Sequence, residues 1–290
     1  MSQALDSQWQ AESFQEHRPR LRSVAYRVLG SVADAEDAVQ DCWLRFERTD
    51  PTTIDNVGGW LTTAVGRVAL NMLRSRSRFV DAEVEGAVPD PLVVVDGAGD
   101  PEQAAMTADA VGLALMVVLD ALAPAERVAF VLHDMFDVPF DEIAVLLERS
   151  EPATRKLASR ARKRVQANKV VPTQDVARQR AVVDAFFTAA TQGRLDALVA
   201  TLHPDVVLRT DRGADQRVLV RGAEVVAGRA AMFADPSVEL RAVLVNGVAG
   251  VLMVRDGMPL TLMAFTVVDD VVVEIDAIGD PERLRGIQID

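Results

Sequence analysis

Residues 139–165, PFDEIAVLLERSEPATRKLASRARKRV, constrain the chain more than any other stretch. Phe140, Ile143, Ala144 and Leu147 recur at the spacing of one helical face. A polar break follows at Glu148-Arg149-Ser150, where Ser150 suits an N-cap and Pro152 suits a first helical turn, which needs no N–H from it. In the second helix Thr154, Leu157, Ala158, Ala161 and Val165 share one arc. Arg155, Lys156, Ser159, Arg160, Arg162, Lys163 and Arg164 fill the other, with no acid among them. Two short helices joined by a tight turn, the second cationic, read as a DNA-binding helix-turn-helix. The competing reading is a solvated basic helix lying over a core.

The net charge of −12 at first argues against nucleic acid, but its distribution removes the objection. Residues 1–80 hold ten bases and ten acids, and residues 110–168 hold eight of each. Residues 81–109 hold eight acids and no base, and residues 169–290 hold thirteen bases and seventeen acids. Two neutral units with segregated charge flank an acidic connector. Nonspecific affinity for DNA comes from neutralising phosphates, so such a chain needs a dimer or a larger partner to bind well. At 290 residues it is expected to form two or three domains. One cysteine, Cys42, allows no internal disulfide and fits a reducing compartment. No apolar run suggests a signal peptide or approaches a membrane span, so the expectation is a soluble cytoplasmic protein without membrane association.

Residues 10–29 predict a helix around Phe14, Leu21, Val24, Ala25 and Val28, stopped by Gly30. Residues 32–48 predict a second, with Ala35, Ala38, Val39, Cys42 and Phe46 inward. Asp34, Asp37 and Asp41 form an acidic stripe on it, which is either a solvated face favoured by the helix dipole or a dock for a basic partner. Residues 60–78 hold an apolar helical repeat for nearly four turns, while Thr63, Arg67, Asn71, Arg74 and Arg78 recur on another side. Such a stripe suits phosphate contact and base-edge reading, and Trp60 suits either stacking on an unpaired base or a core anchor. Residues 81–109, rich in acids, proline and glycine around an apolar patch at 92–95, read as a linker. Residues 110–135 predict a helix pair broken at Ala123-Pro124 beneath the helix-turn-helix.

Beyond residue 168 the pattern changes. A helix over 176–192 stops at Gly193, and a shorter one over 194–203 ends at His203 before Pro204. Strands are expected at 206–210, 217–221, 238–245, 250–255, 260–268 and 271–278, with hairpin turns at Asn246-Gly247, Asp256-Gly257 and Asp269-Asp270. Helices followed by an antiparallel meander imply an α+β domain whose curved sheet can enclose a pocket.

Residues 10–168 resemble a bacterial extracytoplasmic-function σ factor. The run from Ser31 to Asp41 is similar to that family's acidic helix, which docks core RNA polymerase. Gly59-Trp60-Leu61 through Arg78 resembles its helix for melting and reading the −10 element, and residues 140–165 resemble its −35-reading helix-turn-helix. The resemblance decides the acidic stripe in favour of docking through Asp34, Asp37 and Asp41. It implies −10 contacts from Trp60, Thr63, Arg67, Asn71, Arg74 and Arg78. For the −35 element it implies Arg155, Lys156, Ser159, Arg160 and Lys163.

The tail resembles the SnoaL-like branch of the NTF2-like fold, a cone-shaped α+β domain, and the whole resembles σ factors that carry such an extension as their own regulator. That family's Trp-Leu-Pro-Glu-Pro linker motif stands here as Ala87-Val88-Pro89-Asp90-Pro91. Its Asp-Gly-Gly-Gly loop stands as Asp211-Arg212-Gly213-Ala214, and its Asn-Pro-Asp-Lys-Leu as Asp280-Pro281-Glu282-Arg283-Leu284. A regulatory linker–tail contact is therefore implied through Pro89, Pro91, Asp211, Gly213, Pro281 and Leu284.

The expected organisation is σ region 2 over 1–80, an acidic linker over 81–109, σ region 4 over 110–168 and a SnoaL-like regulatory domain over 169–290. Expected partners are core RNA polymerase (β′ and β subunits), promoter DNA and a small molecule in the tail's pocket. SnoaL-like domains include cyclases and isomerases, so His203, Arg209, Asp211 and Asp276 are candidates for acid–base work, with Asp276 the inward-pointing one to test. His203 reads better as a helix end and Asp211 as a turn former. No metal-ligand spacing or phosphate-binding loop is present, so no cofactor, metal or catalytic activity is expected. The alternatives are a free-standing ligand-sensing regulator, which needs a two-fold dimer, and a cyclase-like enzyme with a DNA-binding N-terminus.

Overall fold

The structure is a computed structural model that describes residues 2–76, 88–95, 112–167, 173, 175–213, 216–230, 235 and 237–286. Contacts divide the chain into two compact units, residues 1–82 with 118–168, and residues 83–117 with 169–290. The expected fold class holds: helical domains followed by a sheet-containing α+β tail.

The first unit begins with α1 (Ser2–Leu29), α2 (Val32–Phe46) and α3 (Val57–Arg76). Gly30, at φ +72°, closes α1. The Ser31 hydroxyl then accepts the Asp34 amide at 3.4 Å, satisfying an amide that the first turn of α2 leaves without a carbonyl. Leu21, Val24, Ala35, Ala38, Phe46, Leu61 and Val65 are buried, as is Cys42, whose thiol burial pushes up to about 12. Beyond α4 (Leu113–Asp120) come α5 (Pro124–Phe130), a π-helical turn (Val131–Met135), α6 (Phe140–Leu147) and α7 (Glu151–Ala167). The predicted break at Ala123-Pro124 is the N-terminus of α5, with proline in its first turn.

Helix α3 packs on α5 and α6. Gly66 makes this possible, because a Cβ there would lie 3.1 Å from Leu132 Cδ1 and 3.3 Å from Leu146 Cδ1. Arg127 is 2% exposed; its Nε donates to the Arg27 carbonyl at 3.1 Å and its Nη1 pairs with Asp120 at 2.6 Å. Burial lowers the guanidinium's pKa and Asp120 opposes the shift.

The second unit is built on a seven-stranded sheet in the order β1-β4-β5-β6-β7-β2-β3. Its strands are β1 (Val93–Val95), β2 (Leu202–Asp211), β3 (Arg217–Arg221), β4 (Glu239–Val245), β5 (Val248–Arg255), β6 (Met258–Val268) and β7 (Val271–Ile278). The three predicted hairpin turns each place both central residues at positive φ, the geometry whose twist matches the strands it joins. The meander is antiparallel from β4 to β7, but β2 joins β7 in parallel. Helices α8 (Val176–Thr191), α9 (Leu195–Ala200) and α10 (Ala223–Ala230) share one core with the sheet, in which Phe186 and Phe187 meet Phe265 edge-on. The chain closes with α11 (Pro281–Arg285).

Two expectations are corrected. The shorter helix ends at Ala200, and His203 and Pro204 lie in β2, where the register against β7 shifts between Leu202 and Val207. That bulge holds a proline without loss of a ladder donor, and the His203 ring accepts the Asp205 amide at 3.1 Å. The apolar patch of the linker is a sheet strand, β1, paired with β4 through Val93↔Val245.

Candidate nucleic-acid interface and linker clamp

The turn between α6 and α7 is a Schellman closure without glycine. Glu148 sits at φ +56°, the Arg149 amide donates to the Ala144 carbonyl at 3.0 Å, and the Glu148 amide donates to the Val145 carbonyl at 3.3 Å. Ser150 caps α7 by accepting the Ala153 amide at 3.4 Å. Thr154, Ala158 and Ala161 are buried, which turns the cationic arc outward. Three of its cations are held by the unit's own acids: Arg155 by Glu151, Arg162 by Asp134, and Arg164 by Glu126 at 2.9 Å. Arg155 also lies 4.6 Å over the Phe140 ring. Lys156, Arg160 and Lys163 are exposed and have no carboxylate partner among the described residues, and Ser159 is half-buried beside them.

On α3, Trp60 is half-buried with its ring 5.7 Å from that of Phe46, so it anchors the core and still reaches solvent. The Thr63 hydroxyl donates to Glu142 at 3.3 Å, and Arg67 Nη2 donates to the Val145 carbonyl at 3.5 Å. Asn71 is exposed and Arg74 half-buried; Arg78 lies outside the described residues. On α2, Asp37 and Asp41 are exposed, whereas Asp34 pairs with Arg76. Leu44, 40% exposed on the same helix, is an apolar surface residue that the stripe of acids does not reveal.

In the second unit Asp211 is 1% exposed and is the hub of a clamp. Its carboxylate accepts the Val88 amide at 3.2 Å, the Gly213 amide at 3.1 Å, Arg217 Nε at 3.3 Å and Arg283 Nη1 at 3.0 Å. Arg283 Nη2 donates to the carbonyls of Val88 and Pro89 at 2.8 and 2.9 Å and pairs with Asp90 at 3.2 Å. Pro91 follows, and the Leu92 amide donates to Asn246 Oδ1 at 2.8 Å. Gly213, at φ +107°, lets the loop pass Asp280, whose carboxylate caps α11; Pro281 opens that helix and Leu284 is buried beneath it. The turn-forming role expected of Asp211 is present in the Gly213 contact. Arg283 is the residue that sequence reasoning missed, although it stands where the related motif has lysine.

Asp276 is 2% exposed, but the expectation that it faces the pocket is corrected. A cavity of about 560 Å³ is lined by Ile275 and Ala277 of β7 and by Leu208 and Thr210 of β2. Side chains alternate along a strand, so Asp276 and Arg209 belong to the opposite face, where Arg209 pairs with Glu274 and Asp276 at 3.1 Å each. Burial raises the Asp276 pKa to about 6 against the pull of Arg209, and Glu274 adds to the rise. His203 and Asp211 do not line the cavity either. Among the described residues, no group of three His, Cys, Asp or Glu could hold a metal ion, and no helix is long and apolar enough to cross a membrane.

Comparison with known proteins gives a consistent picture. The Sigma-70 region 2 family matches residues 13–79, and Sigma-70 region 4 matches residues 112–165. The ECF RNA polymerase sigma factor SigJ of Mycobacterium tuberculosis is 43% identical over 213 residues, 73% of this chain and 68% of that protein. The ECF RNA polymerase sigma factor SigE of Mycolicibacterium smegmatis is 33% identical over 150 residues, 50% of this chain and 55% of that one. The crystal structure of M. tuberculosis SigJ aligns with a TM-score of 0.76 and 37% identity, over 97% of this chain and 100% of that one.

Proposed function

The chain belongs to the extracytoplasmic-function σ factors, and from that membership we propose that it brings promoter specificity to core RNA polymerase through three separate faces of its helical unit. Asp37 and Asp41, with Leu44 beside them and Asp34 paired to Arg76, dock the polymerase. Trp60, Thr63, Arg67, Asn71, Arg74 and Arg78 engage the opened −10 element. Arg155, Lys156, Ser159, Arg160 and Lys163 engage the −35 duplex. The observation that carries this reading is the outward arc of α7, where Lys156, Arg160 and Lys163 stand exposed on a helix presented by a tight turn. Thr63 and Arg67 touch α6 in the free chain, so α3 and α6 part before the −10 strand is read.

The tail acts as a regulator rather than an enzyme. Its clamp holds residues 88–92, which belong to the segment joining α3 to α4 in sequence, and β1 extends that grip into the sheet. Regulation follows from how firmly this connector is held. What supports this reading over a cyclase is the cavity's described lining, which carries no acid–base pair.

Run-off transcription with purified core polymerase tests the assignment. A promoter-dependent transcript is expected only when core and this chain are both present. The Lys156→Ala/Arg160→Ala/Lys163→Ala variant should lose at least about tenfold in transcript while still binding core. A chain that shifts palindromic duplex alone and leaves core polymerase unaffected would make it a free-standing regulator instead.

A further inference from the structure

We propose that the cavity of the tail binds an amphipathic anion: an apolar body of roughly ten to fifteen carbon atoms with one carboxylate head. This rests on the reading of the tail as a regulator and names the chemistry of its ligand. The cavity, about 560 Å³, falls within the range of pockets that enclose small organic ligands. Its inner wall is apolar. Phe186, Val226, Met263, Ile275 and Ala277 are all buried there, and Leu208 completes it. Such a wall favours a hydrocarbon surface over water.

The polar part of the lining is one-signed. Arg212 and Arg229 contribute two guanidinium groups, Thr210, Thr261 and Gln216 contribute neutral polar side chains, and the described lining holds no acid, histidine or cysteine. Arg217 also borders the cavity, but it is the cross-strand partner of Asp211 and its guanidinium turns to that carboxylate at 3.3 Å, whereas Arg212 and Arg229 have no carboxylate partner among the described residues. Guanidinium forks match carboxylate geometry, and charge-assisted hydrogen bonds of this kind strengthen beside an apolar, low-dielectric wall. A cationic head would face two like charges, and a neutral one would leave them unanswered. With no acid, histidine or cysteine in the described lining to move a proton, the proposal is of a ligand retained rather than converted.

Isothermal titration of the full chain with decanoate, 9-anthracenecarboxylate, decanol, decylamine and acetate tests the inference. At least one of the two apolar carboxylates is expected to bind, at least about tenfold more tightly than decanol, with decylamine and acetate weaker still. The variant Arg212→Ala/Arg229→Ala should weaken the carboxylate at least tenfold and leave decanol within about twofold. Thr261→Phe, which fills the cavity from a half-buried strand position, should abolish both, and a matching thermal transition shows that it is folded. Decanol binding as tightly as either carboxylate, or no carboxylate binding at millimolar concentration, overturns the proposal. Binding is read without transcription, so these results stand apart from whether the tail regulates at all.

Discussion

Replacing Arg283 by methionine keeps the apolar stem of the side chain and removes every polar contact its guanidinium makes. Two of these are donations to the carbonyls of Val88 and Pro89, and two are pairings with Asp211 and Asp90. Hydrogen bonds to or from a charged group are each worth about 1.5–3 kcal/mol, and a shared group does not deliver them additively. Arg283 is 22% exposed, the freed carbonyls can find water, and Asp211 keeps Arg217 and the Val88 amide. The net loss is then about 2–3 kcal/mol in the equilibrium that opens residues 88–95. Each 1.4 kcal/mol is a factor of ten, so amides there should exchange about 30- to 150-fold faster. Hydrogen exchange reads this at Val88, Asp90 and Leu92 to Val95, since Pro89 and Pro91 carry no amide hydrogen. Arg285→Met, two residues on, where the side chain meets only Pro281 and Glu282 of its own helix among the described residues, serves as the control and should change nothing at residues 88–95. Unchanged protection at Val88 and Leu92 in Arg283→Met refutes the clamp.

Two further outcomes follow from local geometry. Burial raises the Asp276 pKa in the folded chain to about 6 from 3.8, so the folded form holds the proton more tightly; this group's contribution to stability is present at low pH and is lost as pH rises through about 6. Asp276→Asn should therefore raise the melting temperature at pH 7.5, with the gain fading below pH 5; an equal gain at both would remove the titration from the account. Glu148 occupies the left-handed region at φ +56°, where glycine carries no steric penalty, so Glu148→Gly should stabilise the helical unit by about 0.5–1 kcal/mol in a denaturant titration; a loss would mean the side chain matters more than the turn.

Where the sequence alternated or repeated with a single period, it was legible. The helix-turn-helix, its Ser150 cap and all three hairpin turns stand where the pattern put them. The misses have physical causes. Helix α10 is eight residues with a glycine inside, too short and too weak in propensity to announce itself. His203 and Pro204 looked like a helix end because proline rarely enters a strand, and only a bulge admits it. Asp276 could not be placed because both faces of β7 are buried: Ile275 and Ala277 on one, Asp276 and Ile278 on the other. Alternation then gives two faces without saying which one meets the cavity. Arg283 escaped because a cation on an exposed short helix has no signature of its own until Asp211, seventy-two residues earlier, is folded against it.

The pairing on α7 explains a charge balance that otherwise argues against DNA. Six cations on that helix would neutralise six phosphates and give binding a salt slope of about −5; the three without a carboxylate partner among the described residues give about −3. Two of the acids that reduce the count lie off α7 altogether. Glu126 and Asp134 lie in the π-helical turn and the helix that support α7, and Glu151 sits in its first turn. The same residues that set the helix in place hold down its charge. Acids elsewhere on the unit, Asp37 and Asp41, stay exposed on a different face and repel duplex DNA at a distance. Under the proposed function, a helix so tuned binds a promoter weakly alone and gains its occupancy from the polymerase that those acids dock.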